Sequence, residues 1–112
     1  MKAIALAATD LDRAKQFYGE TLDLPKDKVN NMDGAYLLGG TFILLKSQDE
    51  WYGRPSAELN ARVAIEVKDA YSVEKTLRER GVTISDPVQV YESPVGGFLD
   101  SEGNKIWFCS NS

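Results

Sequence analysis

Histidine does not occur in this chain of 112 residues, and cysteine occurs once, as Cys109. Without histidine the sequence lacks the commonest general base at neutral pH and the commonest transition-metal ligand. Ser-His-Asp and Cys-His nucleophile systems are excluded, as are zinc sites that use imidazole. A single cysteine cannot build an all-cysteine zinc site either. No internal disulfide can form, which fits a reducing compartment. Composition leaves room for hard cations held by carboxylates. However, the sequence has no Asp-x-Asp-x-Asp loop, no P-loop and no Gly-x-Gly-x-x-Gly turn.

Basic charge and long apolar runs are also scarce. Lys and Arg total 13 against 17 Asp and Glu, a net charge of −4. No basic footprint exists to displace counterions, so nucleic acid is not expected as a partner. No stretch approaches the ~18 apolar residues of a membrane span, so no membrane partner is expected. The opening run MKAIALAA passes straight into a charged helix pattern, without the longer apolar core of a signal peptide, and a cytoplasmic location is expected. What remains is ordinary for one soluble domain: 43% apolar and 27% charged residues, and enough chain to bury a core.

AIALAA (3–8) reads as a strand, and Asp10 as the cap of a helix whose apolar face is Leu11, Ala14, Phe17, Tyr18 and Leu22. KDKVNN, GAYLLGG and TFILLKS follow as three short antiparallel strands. Residues 48–60, with Gly53 and Pro55, read as a connector. Then the order recurs. ARVAIEV (61–67) is a strand, Asp69 caps a helix faced by Ala70, Val73 and Leu77, and Gly81 ends it. DPVQVYE, VGGFLD and NKIWFCS are three more strands. Asp10 matches Asp69 at a shift of 59, and Leu44-Leu45 matches Trp107-Phe108 at a shift of 63, the difference being loop length within the second copy. The prediction is an α+β fold. Residues 1–112 form one domain of two tandem βαβββ modules (1–47 and 61–112). Their curved mixed sheets surround a concave cup, with the helices on the outer face.

Strand alternation divides the side chains between the two faces. Ile4, Leu6, Ile43, Leu45, Val63, Ile65, Val67, Ile106 and Phe108 suit the helix side. Ala3, Ala5, Ala7, Phe42, Leu44, Lys46, Arg62, Ala64, Glu66, Lys105, Trp107 and Cys109 fall on the other. A few polar groups in an apolar hollow are the usual makeup of a small-molecule site. Each residue also has a plainer reading. Trp107 either fills the hollow or offers a stacking surface. Arg62 either binds a ligand carboxylate or phosphate or is paired structurally. Glu66 lies about 13 Å from it by strand rise, too far for direct pairing. Glu66 reads as a solvated rim residue or a general base, and Cys109 as a small buried hydrophobe. Trp51 and Tyr52, in the connector, read as a lid, a dimer contact or a cover for the module joint. Gly96-Gly97 marks a bulge or a place where a ligand approaches the backbone.

ATDLDRAKQFYGETLDL resembles the opening helix of the vicinal oxygen chelate superfamily, which includes glyoxalases, bleomycin resistance proteins and extradiol dioxygenases. FLDSEGNKIWF resembles its last hairpin, usually an Asp-Pro-Asp-Gly-Asn turn before the final strand. ARVAIEVKDA resembles the strand that opens its second module. The resemblance covers nearly the whole chain and implies paired modules, often in a homodimer. In the metal-dependent members two His and two Glu hold a divalent ion that chelates vicinal oxygens. The matching positions here are Ala3, Leu44, Arg62 and Trp107, so the resemblance implies a metal-free branch with no cofactor. Metal-free relatives of the bleomycin-resistance kind bind drugs without turning them over.

The leading expectation is thus a small-molecule-binding protein, not an enzyme, that holds a partly aromatic or amphipathic ligand. Phe42, Leu44, Trp107 and Trp51 supply apolar contact, and Arg62 and Glu66 supply charge. One alternative is a metal-independent lyase or isomerase with Glu66 as base and Arg62 stabilising an oxyanion. A second is a structural or interaction module whose hollow Trp107 fills.

Overall fold

Two aspartates start the two helices, and each does so by the same chemistry. In this computed structural model, which describes residues 3–26, 33–38, 41–49, 54–57 and 64–111, Asp10 accepts from the Arg13 amide at 3.1 Å. Asp69 accepts from the amides of Tyr71 at 3.0 Å and Ser72 at 3.4 Å. Both cap residues are extended, and each satisfies backbone donors that the first helical turn leaves unpaired.

The elements run β1 (Ala3–Ala8), α1 (Leu11–Gln16), β2 (Ala35–Leu38), β3 (Thr41–Ser47), β4 (Ala64–Glu66), α2 (Ala70–Glu79), β5 (Ile84–Val90), β6 (Pro94–Leu99) and β7 (Lys105–Cys109). The chain divides into two units, Met1–Pro55 and Ser56–Ser112, so the division falls inside the expected connector. The first unit holds a mixed sheet in the order β1-β3-β2, and the second a mixed sheet in the order β4-β7-β6-β5. In both, the first strand runs parallel to the last strand, and the middle strand pairs antiparallel to it. This is an α+β fold built from a repeated unit.

The register makes the repeat explicit. Ala5 lies opposite Leu44, and Ala64 lies opposite Trp107. The two shifts inferred from sequence carry the first pair onto the second. At the position matching β5 in the first unit, Lys26 bridges to Tyr36, and most of the expected strand KDKVNN lies outside the described residues. Observed strands also differ from expectation at their ends. β5 begins two residues before DPVQVYE, and β4 is described only from Ala64.

The first helix departs from a simple 3.6-residue period. After Gln16 the chain continues in a π-helical turn, Phe17–Thr21, closed by the Leu22 amide donating to the Phe17 carbonyl at 2.8 Å. The turn still buries Phe17 and Tyr18. Tyr36, buried from β2, donates its hydroxyl to the Lys15 carbonyl at 3.2 Å. α2 ends at Arg80, with Gly81 at φ 77° as the left-handed residue after it.

Alternation along the strands holds. Leu6, Ile43, Leu45, Ile106 and Phe108 are buried on the helix side, while Leu44, Lys46, Lys105 and Trp107 are half-buried. In the second unit α2 lies against β5 and β6. One of its side chains completes β5: Glu74 accepts from the Val88 amide at 2.6 Å, where pairing with β6 is irregular, and also from Arg78 at 3.1 Å. The Val88 amide, with a smaller contribution from Arg78, holds the Glu74 carboxyl below its ordinary pKa despite an opposing push from burial.

Two measurements check this packing. A methyl group at Gly96 would lie 2.6 Å from Phe108 Cζ and 2.9 Å from Val88 Cγ2, so Gly96→Ala should cost about 1–3 kcal/mol in urea unfolding. Glu74→Ala should cost about 1–3 kcal/mol at pH 7 by leaving the Val88 amide unpaired. A depressed carboxyl pKa contributes stability that is present above the ordinary unfolded value and lost as pH falls through the folded one. The gap between wild type and Glu74→Ala should therefore narrow in melts at acid pH.

Candidate functional site

The chain after Leu99 folds into a turn built by two buried side chains. Asp100 Oδ1 accepts from the amides of Glu102 at 2.9 Å and Asn104 at 2.8 Å, and its Oδ2 accepts from Asn104 Nδ2 at 3.0 Å. Gly103, at φ 90°, closes the turn. Asn104 Oδ1 in turn accepts from the Ser56 amide at 3.0 Å, and the Ser56 carbonyl accepts from Lys105 N at 3.2 Å. The DSEGN segment thus fixes where β7 begins and which way its residues point.

On β7, Ile106 and Phe108 are 1% exposed and belong to the core, which turns Lys105, Trp107 and Cys109 to the helix-free face. Across the sheet Trp107 meets Gly97, and Gly97 meets Asp86. The absence of a side chain at Gly97 lets three groups converge. A methyl group there would lie 2.9 Å from Asp86 Oδ2, 3.0 Å from Ser85 Oγ and 3.3 Å from Trp107 Cε3. The Ser85 hydroxyl donates to Asp86 Oδ2 at 2.8 Å. Lys105 Nζ lies 3.0 Å from the same carboxylate oxygen and 5.0 Å from the centre of the Trp107 ring. An ammonium over an indole is attracted by the ring's negative face. The result is an aromatic surface bordered by a carboxylate, a hydroxyl and an ammonium.

The sequence-based candidates distribute as follows. Trp107 is half-buried at the centre of this face. Glu66 is exposed on β4, opposite Cys109 in register. Phe42 and Leu44 are half-buried on β3 of the first unit, facing Ala3 and Ala5 in register. Arg62, Trp51 and Tyr52 lie outside the described residues. Cys109, expected as a buried hydrophobe, is half-buried, because its strand position turns it away from the core. The glycine pair reads from sequence as a bulge or a place of close backbone approach; β6 stays in regular register with β7 through both glycines, while its pairing with β5 shifts on either side of the Asp86–Gly97 pair. The irregularities lie on β5, between Ile84 and Asp86 and between Asp86 and Gln89. Sequence reading missed Asp86 and Ser85. The available signal was Asp86-Pro87: proline cannot donate to a sheet ladder and marks an edge strand or a bulge, and the bulge re-aims its neighbours.

A family model described as the glyoxalase/bleomycin resistance protein/dioxygenase superfamily matches residues 1–108. The chain belongs to this superfamily. No curated protein matches it. Among solved structures, a superfamily member from Sphaerobacter thermophilus DSM 20745 has a TM-score of 0.82 at 22% identity, covering 98% of this chain and 95% of that one. TnmS3, an antibiotic-binding protein from Streptomyces sp. CB03234, has a TM-score of 0.78 at 20% identity, covering 100% and 95%. A lactoylglutathione lyase from Agrobacterium tumefaciens has a TM-score of 0.72 at 17% identity, covering 98% and 92%. At these identities the likeness is one of fold.

The residues that the resemblance assigns to the metal-ligand positions, Ala3, Leu44, Arg62 and Trp107, are of types that do not suit a divalent ion. Alanine at 3 and leucine at 44 carry no donor atom, arginine at 62 is a cation, and the Trp107 indole N–H only donates. Among the described residues, no three His, Cys, Asp or Glu side chains converge.

Gly97→Ala tests the geometry of the face. The new methyl group meets Asp86, Ser85 and Trp107 and leaves the Phe108 side of the sheet alone. Tryptophan fluorescence should shift, with a smaller loss of stability than in Gly96→Ala.

Proposed function

We propose that the protein binds an organic small molecule without turning it over, as a metal-free member of its superfamily. The observation that carries this reading is the half-buried Trp107 ring, held on the helix-free face beside the Asp86–Lys105 pair. An indole gives a planar guest a large apolar contact at small entropic cost, and a few fixed polar groups orient it. The ligand this favours is partly aromatic or amphipathic. Phe42 and Leu44 offer apolar surface on the corresponding face of the first sheet, and the fold is one that an antibiotic-binding protein, TnmS3, also uses. Arg62 and Trp51 complete the proposed contact set, Arg62 by a charge-assisted hydrogen bond. The reading includes a cytoplasmic homodimer with residues 1–112 acting as one domain.

A metal-independent lyase has less support. Its base would be Glu66, which is exposed on β4, whereas a carboxyl tuned for proton abstraction is normally desolvated. A module whose hollow is simply filled by Trp107 also has less support, since carboxylate and ammonium groups border the ring.

Elemental analysis of protein purified without chelator should find no stoichiometric transition metal, and divalent ions should leave the melting temperature unchanged. A stoichiometric metal would overturn the reading. For a ligand found by thermal-shift screening of aromatic acids and amines, Trp107→Ala should weaken binding by about tenfold or more. Unchanged affinity would remove Trp107 from the site.

A further inference from the structure

We propose that the Asp86–Lys105 pair sets the charge class of the ligand: a planar aromatic amine, whose ammonium replaces that of Lys105 beside Asp86 and over the Trp107 ring. This rests on the reading of Trp107 as a ligand platform.

An organic ammonium is recognised by two features, an aromatic face and a carboxylate acceptor. Strands β5, β6 and β7 bring both to one place, and both already hold a cation. Lys105 Nζ stands 3.0 Å from Asp86 Oδ2 and 5.0 Å from the indole centre. Lys105 is therefore a resident occupant, and its geometry shows what the surface accepts.

The acceptor is better fixed than the cation. Asp86 receives the Ser85 hydroxyl at 2.8 Å and fits beside Trp107 because Gly97 has no side chain. Lys105 reaches the pair through a flexible four-carbon stem whose ammonium can be returned to water. Displacing it exchanges one ammonium for another at the carboxylate, so little electrostatic energy is lost. The guest's ring adds apolar contact that the lysine stem does not provide.

The described charges on this face favour the same class. Asp86 stands at the Lys105 ammonium, and Glu66, opposite Cys109 at the other end of β7, adds a second carboxylate to the same face. An aromatic carboxylate would have to draw Lys105 from Asp86 and then sit beside like charge, which costs energy at short range. An aromatic amine meets attraction at Asp86.

The test is calorimetric titration at pH 7 and low salt with three probes that share a ring: 1-naphthylmethylammonium, naphthalene-1-methanol and 1-naphthoate. The cationic probe should bind at least about tenfold more tightly than the anionic one. Lys105→Gln, which removes the resident ammonium, should strengthen the cationic probe by about tenfold, and Asp86→Asn should weaken it by a similar factor. Lys105→Met gives the same comparison should the glutamine variant fold poorly, with circular dichroism as the check. Tightest binding by naphthoate, or weakened binding of the cationic probe in Lys105→Gln, would overturn the proposal. If the neutral probe binds as well as the cation and Trp107→Ala abolishes both, the platform reading stands and the charge assignment falls. If none of the three binds up to millimolar concentration, both fall.

Discussion

Parallel pairing of the first strand with the last is the constraint on which each unit depends. Parallel neighbours cannot be joined by a tight turn, so the chain must leave the sheet and return. In each unit the connection begins with a helix capped by an aspartate, Asp10 or Asp69. The helix needs an apolar face to lie on, and the sheet provides it through Ile43 and Leu45 in one unit and Ile106 and Phe108 in the other. With one face taken by the helix, alternation sends every second residue of the last strand to the other side. Leu44 and Trp107 thus arrive at equivalent positions for the same reason, each opposite an alanine in register. The site is a by-product of how the helix is covered.

What Trp107 finds on its side is decided one strand further out. Two glycines in succession let β6 serve both faces: Gly96 leaves room for Phe108 in the core, and Gly97 leaves room for Asp86 and Trp107 opposite. β5 can place Asp86 there only because its pairing with β6 slips, and the backbone donor released near Pro87 is satisfied from the helix by Glu74. The irregularity is therefore held by a charge-assisted hydrogen bond on the core side. The buried Asp100–Asn104 turn fixes the strand from its other end. The polar face rests on a helix contact, a bulge and a turn.

This division also explains what could be read in the sequence. Helix caps, strand alternation and the repeat are local or periodic signals, and Asp10, Asp69, Ile106 and Phe108 take the places that periodicity assigns them. The π-helical turn at Phe17–Thr21 was not legible, because Phe17 and Tyr18 suit an α-helical face equally well and Tyr36 packs against them from a distant strand. At the site, Trp107 was legible from alternation alone. Asp86 was not, since a slipped register breaks the alternation that would have assigned its face. Its partnership with Lys105 depends on two strands separated by a third, and no pattern within either strand encodes that. Gly96 and Gly97 were visible as unusual residues, but their separate purposes depend on which ring lies above and which below.

The remaining question about Trp107 is whether its ring closes a hollow or faces a guest. A tryptophan that only fills space does so best among apolar groups, because a charge buried nearby must be paid for in desolvation. The neighbours here are of the other kind. An ammonium lies over the ring, and a carboxylate, a hydroxyl and the ring converge on Gly97, with Lys105 and Asp86 both keeping part of their surface in water. Such a pair contributes little to stability when it is this exposed. Its cost as packing is low and so is its gain, which leaves the arrangement poorly explained by folding alone. Recognition explains it better. On the proposed reading, a surface that holds its own lysine weakly, over an aromatic ring and against a carboxylate, exchanges that lysine for a guest of the same charge without rearranging the strands beneath.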